Sequence, residues 1–244
     1  MSPSIRLQAV AAIAGKELRQ VRRSRSALLS AILLPALLML FLPFTATSFP
    51  PTGGAPGLTG PGSAQGASFS KASFTIPLFI AMAGILAPSV TAMHMIIAER
   101  EQRSVELLVA LPVRVADILA GKLVAVLVTS SASLLPFFAF DAAVLLANHL
   151  ASPGYLALLL FVLLAAIASS IGMSFFLALM AGDSRTSRNV SGLLLLPDVI
   201  LTGVVLGAVP GVAKLVALGL VLLAIGVIAV LVALHWLTFE RFLE

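Results

Sequence analysis

Residues 73–98 contain no Asp, Glu, Lys or Arg, and neither do residues 123–140. Each run is long enough to cross the hydrocarbon core as a helix, which takes roughly 17 to 25 apolar residues. Between them lies the densest mixed-charge stretch of the chain, residues 99–122, with four of its ten acidic residues and four of its fifteen basic ones. A charged insert between two spans must sit in water, because neither lipid nor a dry core would accept it. The insert also has a helical pattern. Glu99 and Arg103 are an i,i+4 pair with the acid first, and Val105, Leu108 and Leu111 form an apolar stripe at spacing three. Pro112 ends the turn, since proline disfavours helical geometry in the residue before it. A short amphipathic helix at the membrane surface is expected here.

Composition agrees with a membrane location. Hydrophobic residues make up 60% of the chain and charged residues only 10%, with a mean hydropathy of +1.12. Soluble domains carry about a quarter charged residues. The chain has no cysteine, which excludes disulfides, thiolate metal sites and thiol chemistry. Its net charge of +5 is no sign of nucleic-acid binding, because the basic residues gather beside membrane ends.

An all-α membrane protein with six transmembrane helices follows from the remaining runs. Residues 1–26 read as a basic amphipathic leader in which Val10, Ala14, Leu18 and Val21 share one face and Lys16, Arg19, Arg22, Arg23 and Arg25 surround it. The spans are expected at about 27–47, 73–98, 123–147, 155–181, 190–208 and 215–237, within one domain over residues 27–238, followed by a tail at 239–244. Residues 48–70, rich in Gly, Pro, Ser and Thr and free of charge, read as a mobile loop. Ser152-Pro153-Gly154 and Val209-Pro210-Gly211 read as turns, and Ala165 to Gly172 as a small-residue packing face. Arg22-Arg23 could open an export signal, and Thr45-Ala46-Thr47 could follow a cleavable one; the long basic leader favours a retained anchor. With both termini cytoplasmic, thirteen of the fifteen Lys and Arg fall inside and only Lys71 and Lys214 outside.

The segment Glu99-Arg100-Glu101-x-x-Ser104-x-Glu106-Leu107-Leu108-x-x-Leu111-Pro112-Val113, followed by Gly121-Lys122, resembles the loop after the second span of ABC-2-type transporter permeases. Those proteins usually show Glu-Arg-Glu-x-Gly-Thr-Leu-Glu-Leu-Leu-x-x-x-Pro-Val and then a helix opening with Gly-Lys; Arg103-Ser104 stands here in place of Gly-Thr. Lys16 to Arg19, Lys-Glu-Leu-Arg, is similar to the start of the amphipathic helix that precedes their first span. The resemblance implies that this loop is a coupling helix touching a separate ATPase subunit, through Glu99, Arg100, Glu101, Arg103, Ser104 and Glu106, with Leu107, Leu108 and Pro112 shaping it. It further implies a pair of permease chains, alike or different, in the cytoplasmic (inner) membrane, with ATP and Mg bound by the partner and none by this chain. Members of that family often carry a Ser-Gly-x-x-x-Pro run and a longer external segment near the fifth span; Leu201-Thr202-Gly203 and Pro210 echo it only in part.

Two acids lie within spans, Asp198 after Pro197 in the fifth and Asp141 in the outer half of the third. An intramembrane Asp costs about 2.5–3.5 kcal/mol on insertion scales, so each should face protein or a wet cavity. Each could line a translocation path or make an interhelix hydrogen bond. His94, His149 and His235 are scattered near membrane boundaries and lack the spacing of a helical metal site. Gly15-Lys16 and Gly121-Lys122 lack the upstream glycine of a P-loop, so ATP binding in that mode is excluded, and neither His-Glu-x-x-His nor Gly-x-Ser-x-Gly occurs. The expected function is the membrane subunit of an ATP-driven exporter, not itself an enzyme. An ion-coupled carrier using Asp141 and Asp198, or a non-transporting assembly subunit, are the alternatives; neither accounts for the charged segment.

Overall fold

The computed structural model describes residues 3–23, 29, 32–33, 35–41, 64–101, 115–148, 151–180 and 184–236, with a short turn after the third long helix and another before the last. The described long elements are α1 (Pro3–Arg23), α2 (Ala64–Glu101), α3 (Val115–Ala147), α4 (Pro153–Met180), α5 (Ser184–Ala208) and α6 (Ala213–Trp236). No strand occurs among the described residues. Residues 35–41, inside the expected first span, are helical too; the rest of that span and the tail lie largely or wholly outside the described residues.

Four helices contain stretches long and apolar enough to cross a membrane: Phe74–Ala92 in α2, Ala120–Ala147 in α3, Pro153–Phe176 in α4 and Ala213–Ala233 in α6. These answer to the second, third, fourth and sixth expected spans. The described apolar part of α5, Leu196–Ala208, is shorter than a span.

The helix ends follow local chemistry. Ser152 caps α4, its Oγ accepting the Tyr155 amide at 3.3 Å, and Pro153 takes the first helical position, where its missing N–H costs nothing. Asn148 ends α3, its backbone and side-chain nitrogens both donating to the Val144 carbonyl, at 3.1 and 2.8 Å. The turn between α5 and α6 uses Gly211 at φ +71°, a conformation that L side chains rarely adopt.

Two boundaries differ from the sequence expectation. The loop expected over 48–70 gives way to α2 at Ala64, three residues past Pro61. At the other end α2 continues through Glu99, Arg100 and Glu101, so the charged segment starts as an extension of a membrane helix.

The core is centred on α4, against which α2, α3, α5 and α6 all pack. Leu159, Val162, Leu163, Ala166 and Ile167 of α4 are fully buried with Ile80, Ala83 and Ile85 of α2 and Leu215, Leu218 and Leu222 of α6. The small-residue face expected over 165–172 is used for this packing. A Cβ on Gly84 of α2 would lie 2.8 Å from Ala166 Cβ, and one on Gly226 of α6 would lie 2.8 Å from the Ala168 carbonyl oxygen. With no hydrophobic drive between helices in lipid, such close backbone approach supplies the association energy as van der Waals contact. Outward faces are apolar, as lipid requires: Leu220, Val227, Ile228 and Leu231 of α6 and Leu196, Ile200 and Val204 of α5 are exposed.

Candidate coupling end and buried polar sites

The charged segment joins the end of α2 at Glu101 to the start of α3 at Val115. Glu99, Arg100 and Glu101 are the last residues of α2, while Arg103, Ser104, Glu106, Leu107, Leu108 and Pro112 lie outside the described residues. Its last part is already helical: Val115 to Lys122 form the first turns of α3. Lys122 is therefore not solvated, as a charged insert would suggest, but buried at 9% exposure.

What covers Lys122 is the leader. α1 packs along α3 with Ala14, Glu17 and Val21 buried and Val10 and Leu18 partly so. The spacing 14, 17, 21 is one helical face. Three of the four residues expected on the apolar face turn inward to protein: Ala14 and Val21 belong to the core and Leu18 packs against it. Gly121 makes the approach possible, because a Cβ there would sit 2.8 Å from both Cβ and Cγ2 of Ile13 and 3.1 Å from the Val10 carbonyl. Glu17 is only 2% exposed and is the carboxylate whose field acts on the Lys122 ammonium. Lys16, 3.9 Å from Glu17 and mostly exposed, adds a weaker opposing field at Lys122. The amphipathic pattern located this face; it did not single out Glu17, whose one visible signal was an acid falling between Ala14 and Val21 at helical spacing.

A second polar site lies deeper, across α2, α4 and α5. Ser170 Oγ of α4 donates to the Ile85 carbonyl of α2 at 2.6 Å, and the hydroxyls of Ser89 and Ser170 are 2.7 Å apart. Ser89 Oγ also reaches the Ile85 carbonyl, at 2.8 Å. The hydroxyls meet on the Ile85 carbonyl, next to the Gly84 carbonyl from which Pro88 withholds an N–H. Neighbouring Ser169 donates to Oδ2 of Asp198 at 3.4 Å, and Thr202 Oγ1 donates to the Asp198 carbonyl at 2.7 Å. Asp198 and Thr202 are both buried, while Pro197, Leu196 and Ile200 are exposed. The face of α5 that carries the acid is thus turned to α4.

Asp141 of α3 has no such provision. It is 2% exposed, and neither carboxyl oxygen has a hydrogen-bond partner among the described residues. Ser130 Oγ, eleven residues earlier on the same helical face, is likewise buried without a partner among them. The structure brings Asp198 to Ser169 but does not bring Asp141 to Asp198. The side chains of His94, His149 and His235 lie outside the described ones, and no group of metal-ligating residues forms among those described.

No curated protein matches the chain. A family model described as ABC-2 family transporter protein matches residues 11–218, from the middle of α1 into α6. That span takes in the seated leader, the charged segment, the serine cluster and both buried acids. With an all-helical fold and several membrane-length helices, the chain belongs to the ABC-2 family of transporter proteins and is a multi-pass membrane permease of that family.

Proposed function

We propose that this chain is the membrane subunit of an ATP-driven exporter in the cytoplasmic membrane, with six spans and both termini on the cytoplasmic side. Two permease chains form the pathway and a separate ATPase subunit, holding ATP and Mg, docks below. Members of this family normally work with an ABC ATPase. One observation carries the assignment of the docking face: the Glu-Arg-Glu segment leaves α2 and enters α3 at the end of the bundle where α1 is seated. Thirteen of the fifteen Lys and Arg lie in the leader, in the segment 99–122, in the first turns of α5 or in the tail, so the positive charge supports a cytoplasmic assignment of that end.

In this reading Glu99, Arg100, Glu101, Arg103, Ser104 and Glu106 meet the ATPase, and Leu107, Leu108 and Pro112 hold the shape of the segment. ATP binding changes the contact, and a difference in contact energy between two arrangements is what can shift a two-state membrane assembly. Asp198, with Pro197 beside it, and Asp141 are the polar groups along the translocation route.

The test is a pulldown of tagged chain from its native cells in mild detergent. A stoichiometric soluble partner with a Walker A sequence is expected, and Glu101→Arg should lose it while the chain remains folded. A chain that purifies alone even after crosslinking would shift the assignment to an ion-coupled carrier, for which Asp141, buried without a described partner, is the favoured coupling group.

A further inference from the structure

Two oppositely charged side chains are buried where α1 meets α3. Glu17 is 2% exposed and Lys122 is 9% exposed. Each lies on the packed face of its own helix: Glu17 between Ala14 and Val21, Lys122 one turn before Val126 and directly after Gly121. The Gly121 seat brings the α1 backbone at Val10 and Ile13 within van der Waals range of α3. A single charge buried at such a contact would cost far more than it returns, whereas opposite charges that face each other offset the loss of water. Lys122 stands about two turns into α3, so any displacement of the segment 102–114 reaches the contact over a short length of helix.

We propose that Glu17 and Lys122 form a charge clasp that fixes α1 to the cytoplasmic end of α3, so that leader and helix move as one body when the charged segment is displaced. Both are positioning residues. The clasp itself follows from the α1–α3 contact; its part in energy coupling rests on the ATPase reading above. An amphipathic helix held only by lipid could slide along the surface without moving a span. A helix clasped to α3 transmits the displacement of the segment, and the clasp is specific in register because Gly121 seats α1 at Val10 and Ile13.

The experiment uses the full chain in membranes opened to expose the cytoplasmic face, with Ala14→Cys as reporter. The natural sequence has no cysteine, and Ala14 is 5% exposed beneath the docked helix. Labelling of the single introduced thiol by a polyethylene-glycol maleimide is expected to be slow in the otherwise unchanged chain. With Lys122→Met added it should be about tenfold or more faster, because Glu17, left with only the exposed Lys16 ammonium at 3.9 Å, would leave the contact for water. Lys122→Arg and the exchange Glu17→Lys with Lys122→Glu should both return labelling to within about threefold of the reporter alone, since each keeps a pair of opposite sign. Unchanged labelling in Lys122→Met, or an exchange variant as reactive as the single one, overturns the clasp; a general packing defect would not be repaired by exchanging the charges. A second arm measures ATP hydrolysis by the complex with its co-purified ATPase. Lys122→Met should retain the partner yet hydrolyse about fivefold more slowly or worse, with recovery in the exchange variant. Unchanged hydrolysis in Lys122→Met overturns the coupling role. If the parent binds no ATPase, the ATPase reading and the coupling role fall together, while the labelling arm still decides the clasp.

Discussion

Gly172 of α4 and Gly226 of α6 face each other so closely that a Cβ on Gly172 would lie 2.5 Å from the Gly226 carbonyl oxygen and 3.0 Å from its Cα. The obstacle is backbone, which cannot swing aside as a side-chain end can. Gly172→Ala should therefore force α4 and α6 apart and lose about 1–3 kcal/mol, the usual cost of overpacking a tight site. Gly207→Ala on α5, where an added Cβ meets nothing within 4 Å, should be neutral or stabilising by up to about 1 kcal/mol. Thermal unfolding in detergent, followed by size-exclusion chromatography, compares the two. Equal melting points would mean that α4 and α6 do not cross at these glycines.

Ser89, Ser170 and the Ile85 carbonyl make three short contacts with only two hydroxyl protons between them. One contact must therefore lack a proton at any moment, and the cluster shares its bonding. Ser170→Ala removes the hydroxyl that α4 supplies to this cluster, at a cost of about 0.6 kcal/mol and at most about 2, as for other interhelix hydrogen bonds in membranes. Ser89→Ala leaves Ser170 its bond to Ile85, so it should cost less than Ser170→Ala. The double variant should lose less than the two single losses added together, because the Ser89–Ser170 bond can be broken only once. A double-mutant cycle by denaturation in mixed micelles checks this; strict additivity would show that the two hydroxyls do not interact.

Asp141 should be kept at the expense of stability. Its carboxyl is buried without a described partner, so Asp141→Leu replaces a costly group with one suited to the site. A stability gain of about 1–3 kcal/mol is expected, the penalty carried by a buried polar group that makes no hydrogen bond. If the acid serves the translocation route, the same variant should lower substrate-stimulated ATP hydrolysis by the complex. A variant that melts earlier than the parent would mean that Asp141 is paired in the membrane.

Much of the architecture was legible in the residues. The uncharged runs located the membrane-length parts of α2, α3, α4 and α6, and the turn at Val209 to Gly211 stands where its breakers put it, whereas the turn expected through Ser152, Pro153 and Gly154 stops at Ser152, because Pro153 opens α4 and Gly154 follows inside it. Leader amphipathicity gave the face of α1 that is buried, because Ala14, Leu18 and Val21 repeat at helical spacing. The burial of Lys122 was not legible. A Gly-Lys pair after a charged loop reads as solvated, and only the tertiary approach of α1 over Gly121 takes it out of water. Ser169 and Ser170 read as small packing residues, since sequence alone does not tell that one faces Asp198 and the other Ile85. Period and composition fix which face of a helix is dry; they carry no information on which helix lies opposite.

Asp198→Asn separates packing from charge at the α4–α5 contact. An asparagine side chain keeps a carbonyl that can accept the Ser169 hydroxyl, so the link recorded at 3.4 Å survives, while the ionisable group is lost. Thr202 donates to the backbone of residue 198 and is indifferent to the exchange. Yield and ATPase co-purification should therefore match the parent, and stability should stay within about 1 kcal/mol because the buried acceptor remains satisfied. Asp198→Leu leaves the Ser169 hydroxyl without its acceptor and should melt earlier than the asparagine variant. A path role for the charge predicts lower substrate-stimulated ATP hydrolysis in Asp198→Asn at unchanged basal stability. If Asp198→Asn matches the parent in hydrolysis as well and only Asp198→Leu is defective, the acid is an interhelix link between α4 and α5 and the route for substrate runs elsewhere.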